Sequence, residues 1–176
     1  MAVRIPGWAR NEPVPSDLYS YLKSSGEEPT LKLNGTDIPV RLENGFAQIE
    51  REWKRGDSIE LILPMPIRRV VANEKVKANR GRIAIERGPV VYCVEGVDNN
   101  DSVSNIVLDD NAPLEAEFRK DLLGGCMGIT FKAIALPGAD NNALERTGQD
   151  VVAIPYALWS NRSESSKMAV WLPRSD

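Results

Sequence analysis

The chain has 176 residues and a mass of 19.5 kDa, with 42% apolar and 27% charged residues and a formal net charge of -3. This supplies one large core or two small ones, and it provides no general attraction to nucleic acid or anionic lipid, which needs an excess of positive charge. The absence of histidine excludes Ser-His-Asp and Cys-His catalysis, an HExxH zinc site and imidazole chemistry near neutral pH.

Twelve prolines and thirteen glycines, widely scattered, punctuate short segments and disfavour long helices. No stretch approaches the roughly 20 apolar residues that span a bilayer, and the first residues do not show the charged start and apolar core of a signal peptide. Val3 and Ile5 alternate with Arg4 and predict a strand, which Pro6-Gly7 interrupts. Residues 16–23 (SDLYSYLK) predict one or two helical turns capped by Ser16 or Asp17. TLKLNGTDIPV holds two β-patterned runs around Asn34-Gly35, the pair that best tolerates the positive φ angles of a tight hairpin turn. FAQIEREW (46–53) continues the period-2 pattern, with Phe46, Ile49 and Trp53 expected in the core. A turn at Lys54-Arg55-Gly56-Asp57 leads to the strand SIELILPMP, which ends at Pro64 and Pro66.

From Ile67 onward IRRVVAN, RIAIERG and PVVYCVEG read as strands of a second sheet-forming unit. The Asp-, Asn- and Ser-rich segment 98–105 reads as a solvated loop. Strands resume at IVL (106–108), LEAEF (114–118), GITFKAIAL (128–136) and KMAVWL (167–172), with GADNNALERTGQD (138–150) expected as a surface loop. Many short strands with closely spaced turn signals predict an all-β chain of antiparallel sandwiches.

Several short motifs suggest chemistry and are each outweighed by a plainer reading. Arg55-Gly56-Asp57-Ser58 is the tetrapeptide that integrins recognise, but Gly56-Asp57 is also what a hairpin turn requires. Asn34-Gly-Thr36 and Asn161-Arg-Ser163 fit the glycosylation sequon, which matters only in a eukaryotic secretory route. The segment from Asp98 departs from a calcium loop, with Val103 where glycine is needed and Asp109 where a bidentate glutamate is needed.

Glu86 and Glu95 are the best-placed carboxylate pair for glycoside hydrolysis; Glu95 ends its run and is expected to meet solvent, which favours a structural role for both. The two cysteines, Cys93 and Cys126, have neither CxxC spacing nor the count of a structural zinc site, and a disulfide between them is an open alternative. Alternation places Val91, Cys93 and Glu95 on one face and Val90, Tyr92 and Val94 on the other, so Cys93 is expected as a small buried hydrophobe with a raised thiol pKa. Of the four tryptophans, Trp53 and Trp171 lie within apolar alternation and are expected in the core. Trp159, beside Asn161 and Arg162, is the candidate for stacking on a sugar ring, and it carries the alternative reading of the chain as an autonomous carbohydrate-binding module.

RIPGWAR, LKLNG, EREWKRGDSIELILPMPIRRVVAN, NRGRIAIERGPVVYCVEGVDNN, LEAEFRKDLLGG and AIPYALWSNRSESSKMAVWL occur in an order that resembles the C-terminal half of glycoside hydrolase family 127, the β-L-arabinofuranosidase family. The likeness covers nearly the whole chain. It implies two consecutive antiparallel β-sandwich modules, a middle one over 1–66, incomplete at its N-terminus, and a C-terminal one over 67–176. In the family, an N-terminal (α/α)6 barrel carries retaining hydrolysis of L-arabinofuranosides or related L-sugars, with a zinc-bound cysteine nucleophile and glutamates. No residue here matches the motif of those ligands, so the resemblance implies no catalytic residue and no cofactor in this chain, with zinc on the barrel. The implied partners are that barrel and, through a bacterial cytoplasmic or periplasmic parent, L-arabinose-containing plant glycans. No nucleic acid or membrane partner is implied. An uncovered sheet edge and an apolar docking patch predict self-association of the isolated polypeptide.

Overall fold

The computed structural model describes residues 1–135, 147–162 and 167–175. Its first unit contains β1 (Ala2–Arg4), β2 (Tyr19–Tyr21), β3 (Thr30–Leu33), β4 (Thr36–Ile38), β5 (Leu42–Glu43), β6 (Phe46–Gln48) and β7 (Ile59–Ile62). Two three-stranded antiparallel sheets, β1-β6-β5 and β4-β3-β7, face each other across Ile5, Leu31, Ala47 and Ile49. Alternation sets this sandwich: Leu31 on β3 and Leu61 on β7 turn inward, while Thr30 and Glu60 turn out. Asn34-Gly35 makes the predicted β3–β4 turn, with φ of 50° and 79°. Asn44-Gly45 repeats it between β5 and β6, at 49° and 80°. Positive φ at both central residues matches the right-handed twist of the flanking strands.

The second unit contains β8 (Ile67–Ala72), β9 (Arg82–Arg87), β10 (Val90–Glu95), β11 (Ile106–Asp109), β12 (Leu114–Arg119), β13 (Cys126–Ala135), β14 (Thr147–Pro155), β15 (Met168–Ala169) and β16 (Leu172–Ser175). The strands run β10-β14-β13-β11-β16-β9, and β9 pairs back onto β10, so the two layers of this sandwich join at both edges into a closed ring. The β11–β16 pairing is parallel and the other pairings of the ring are antiparallel. Every strand of the ring sends apolar side chains to one interior: Ile83, Tyr92, Leu108, Ile129, Val151 and Leu172. Closure leaves few free strand edges among the ring members, because each one's backbone groups pair on both sides.

The fold departs from the sequence expectations at several points. Residues 16–23 form no helix; Tyr19–Tyr21 is a strand that pairs with β8, where docking to an existing edge outweighs a short helix's marginal stability. The first unit thus contributes a strand to the second unit's sheet. Residues 147–150 belong to a nine-residue strand rather than a loop, and Val151 and Ala153 of that strand lie in the ring interior. The rest of the expected loop, residues 138–146, lies outside the described residues. KMAVWL splits into β15 and β16, with Val170 and Trp171 between them. Trp53 is 39% exposed, since β6 ends at Gln48 and the alternation does not reach it; the Arg51 guanidinium lies over its ring at 5.5 Å.

Candidate functional site

The outer face of β10 and β14 carries Val91, Cys93, Glu95, Val152 and Ile154, the partners of the inward-pointing set. Cys93, Ile154, Leu122 and Cys126 form a small second core there, covered by Leu123, Leu158, Met168 and Val170. Cys93 is buried as expected. Burial, with the Glu95 carboxylate adding to it, pushes its thiol up to about 12. Burial also raises the Cys126 thiol. Both cysteines are free. Because β14 lies between β10 and β13, and Cys126 is two residues along β13 from the position level with Cys93, the Cα atoms of the two cysteines are more than two strand spacings, or roughly 9.5 Å, apart. A disulfide reaches only about 7 Å, so the disulfide alternative is excluded.

Glu95 does not meet solvent as its place at a strand end suggests. It is 1% exposed, and Arg162 crosses the outer face to lie 3.5 Å from its Oε2. The same guanidinium donates to both oxygens of Asp98 at 2.6 Å each. The supposedly solvated loop also supplies Asn99, which is buried and donates to the carbonyls of Glu95 at 2.7 Å and Val152 at 3.0 Å. Its Oδ1 accepts from the Val152 N–H at 2.9 Å. The side-chain amide therefore stands in for a peptide group at the end of the ladder.

A second polar group lies further along the same face. Arg68 and Glu86 are directly opposed on β8 and β9, and Tyr21 of β2 donates to Glu86 Oε2 at 3.1 Å. Burial raises the Glu86 pKa, outweighing the lowering by Tyr21 and Arg68, and burial likewise raises Tyr21. Arg68 is buried over the Tyr21 ring at 4.6 Å and reaches Asn11 and Ser25 at 2.5 and 2.8 Å, joining the two units. Arg68, Tyr21, Asp98 and Asn99 were missed as partners. A charge inside the apolar run Ile67–Ala72 is the one local signal that marks Arg68.

These placements bear on the carboxylate pair. Glu86 opposes Val91, four residues before Glu95, so the two glutamates are about 13 Å apart along the sheet at ~3.3 Å per residue. Paired glycosidase carboxylates are about 5 to 10 Å apart. Glu95 is in addition sealed from any substrate. Nor do the residues fit zinc: the thiols are held protonated on separated strands and a guanidinium lies between the carboxylates. Among the described residues no three His, Cys, Asp or Glu side chains gather as a metal set.

Trp159 is 38% exposed and stacks on Tyr156 with ring centroids 6.2 Å apart. Asn161 is exposed, but Arg162 is committed to Asp98 and Glu95. Ser163, which completes the second sequon, lies outside the described residues. At the first sequon Asn34 is engaged with Asp57 and Ser58 across the turn, and Asp57 also accepts from the Lys54 N–H at 2.8 Å, which accounts structurally for the RGDS segment.

The fold and this face define a pair of β-sandwich modules whose buried polar groups are turned inward, with Glu95 held by the Arg162 charge and accepting no hydrogen bond among the described residues. Family models place them: residues 1–65 match the beta-L-arabinofuranosidase GH127 middle domain and residues 67–173 the glycoside hydrolase family 127 C-terminal domain. The chain belongs to glycoside hydrolase family 127. It is 32% identical, over 98% of its length, to a non-reducing end beta-L-arabinofuranosidase of Bifidobacterium longum subsp. longum, of which it covers 25%. A solved GH127 beta-arabinofuranosidase superposes with a TM-score of 0.88 at 38% identity, over 99% of this chain and 27% of that one. A GH127 beta-L-arabinofuranosidase from Geobacillus stearothermophilus T6 gives 0.80 at 34% identity, over 99% and 26%. The chain thus spans about a quarter of the length of these relatives.

Proposed function

We propose that this chain is the non-catalytic β-sandwich portion of a family 127 glycoside hydrolase, which supports and positions a catalytic barrel and has no turnover alone. The parent reaction is retaining hydrolysis of β-L-arabinofuranosides or related L-sugars, with the zinc-bound nucleophile on the barrel. The observation that carries this reading is the commitment of every candidate acid, base and nucleophile: Glu95 and Asp98 to Arg162, Glu86 to Tyr21, and both cysteines to an apolar cluster. A catalytic group must reach a substrate atom: Glu95 and both thiols are buried, and Glu86, at the wall of a cleft, has Glu95 about 13 Å away along the sheet, too far for a paired carboxylate.

Assaying the purified chain with an aryl β-L-arabinofuranoside, alone and after reconstitution with the barrel region of a relative, tests the proposal. Expected are no turnover alone and a more stable, more active barrel in the mixture. Turnover by the chain alone that disappears in Glu95→Gln overturns it.

A further inference from the structure

A cleft of about 180 Å³ opens on the outer face where the two units meet, between Val14 of the first and Val91, Val170 and Trp171 of the second, with Tyr19 and Glu86 completing its walls. We propose that it is an accessory subsite for one ring of a neutral sugar. The proposal rests on the carbohydrate-enzyme reading above and deepens it.

Three features select this ligand. Trp171, expected in the core, is instead only half-buried and stacked on Tyr19 with centroids 5.5 Å apart, so aromatic and aliphatic surface lines the cleft as it would the C–H face of a sugar. Glu86 is its single carboxyl. One oxygen accepts from Tyr21, while the other takes no hydrogen bond from the described residues and is left for a hydroxyl. Arg68, opposite Glu86 but bonded to Asn11 and Ser25, offsets part of the Glu86 charge, so the cleft presents no strong field of either sign and suits a neutral polyol. The cleft has room for about one sugar ring. Trp159 lacks this convergence, since its neighbouring cation is spent on Asp98.

The test is a titration of the 176-residue chain with methyl β-L-arabinofuranoside, followed by ¹H–¹⁵N correlation spectra that include the tryptophan indoles. Expected are saturable shifts of the Trp171 indole with a millimolar Kd. Glu86→Ala should weaken binding at least about tenfold, an effect of the order of losing a hydrogen bond to a charged group. Glu86→Gln, which keeps an acceptor for Tyr21 and guards against a folding defect, should lose less than Glu86→Ala, because its amide still hydrogen-bonds a hydroxyl but without the charge. Trp159→Ala should leave it unchanged. No saturation up to about 100 mM, where a millimolar site must be filled, overturns the proposal. So do shifts confined to Trp159, or a Trp171→Ala variant that loses only its association with the barrel region. Failure here leaves the barrel-supporting role intact, because that role is read from reconstituted activity and not from sugar binding.

Discussion

Arg162 holds Asp98 through two parallel hydrogen bonds of 2.6 Å, although 64 residues separate them in the chain. The fork closes the segment after residues 156–158 over the outer face of β10 and sets a positive charge beside the sealed Glu95. Arg162→Ala should therefore destabilise the chain by about 3–5 kcal/mol, the cost of leaving a buried charge uncompensated. Arg162→Lys should recover only part of this, because an ammonium cannot reproduce the planar fork. Urea unfolding of the three proteins measures it, and equal midpoints would show that the pair is energetically idle.

Asn99→Ala removes three hydrogen bonds and leaves the Val152 N–H and two carbonyls unsatisfied. At about 1–3 kcal/mol for each buried orphan, with partial relaxation, the expected loss is about 2–4 kcal/mol. Asn99→Asp should be at least as damaging, because a carboxylate cannot donate to the carbonyls of Glu95 and Val152. Thermal unfolding with matched buffers reads both.

The thiols give a kinetic observable. With Cys93 raised to about 12 and Cys126 also raised by burial, both are protonated at pH 8 and shielded by Leu122 and Leu158. Ellman's reagent should titrate neither quickly in the native protein and both at once in guanidinium chloride. Arg162→Ala should speed the native reaction, whereas a fast native thiol in the wild type would contradict the packing.

Glu86 provides a pH test. Its folded pKa is raised by burial, so the folded state binds its proton more tightly than the unfolded state. Its stabilising contribution is complete below the ordinary carboxylate pKa and is lost as pH rises through the raised value. The stability difference between wild type and Glu86→Gln should therefore shift against the wild type as pH rises from the ordinary glutamate pKa through the raised one. A difference that is flat across that window would show that the carboxyl is not desolvated.

Gly88 turns the chain between β9 and β10 at a φ of 58°, and a Cβ there would lie 2.6 Å from Met65 Cε. Gly88→Ala should cost about 1–2 kcal/mol from the left-handed backbone alone, plus the displacement of Met65. Differential scanning calorimetry of Gly88→Ala against Met65→Ala/Gly88→Ala separates the two parts: the double variant should recover the steric part and leave the backbone part.

The all-β class, the β3–β4 turn, most strands of the second unit and the burial of Cys93 were legible in the residues alone. Each follows from local rules: period-2 alternation, the positive φ that Asn-Gly tolerates, and the apolar neighbours of a cysteine. The family was equally legible, carried by long ordered motifs. The fates of Glu95, Tyr19–Tyr21, Trp53 and Trp171 follow instead from long-range contacts. The carboxylate is buried because Arg162 arrives from the far end of the chain, and Tyr19–Tyr21 is a strand because β8 offers it an edge. Trp171 lines a cleft because the ring closes beneath it and Tyr19 stacks upon it. Long-range pairing set those outcomes, and local propensities of a few tenths of a kcal/mol per residue are too small to announce it.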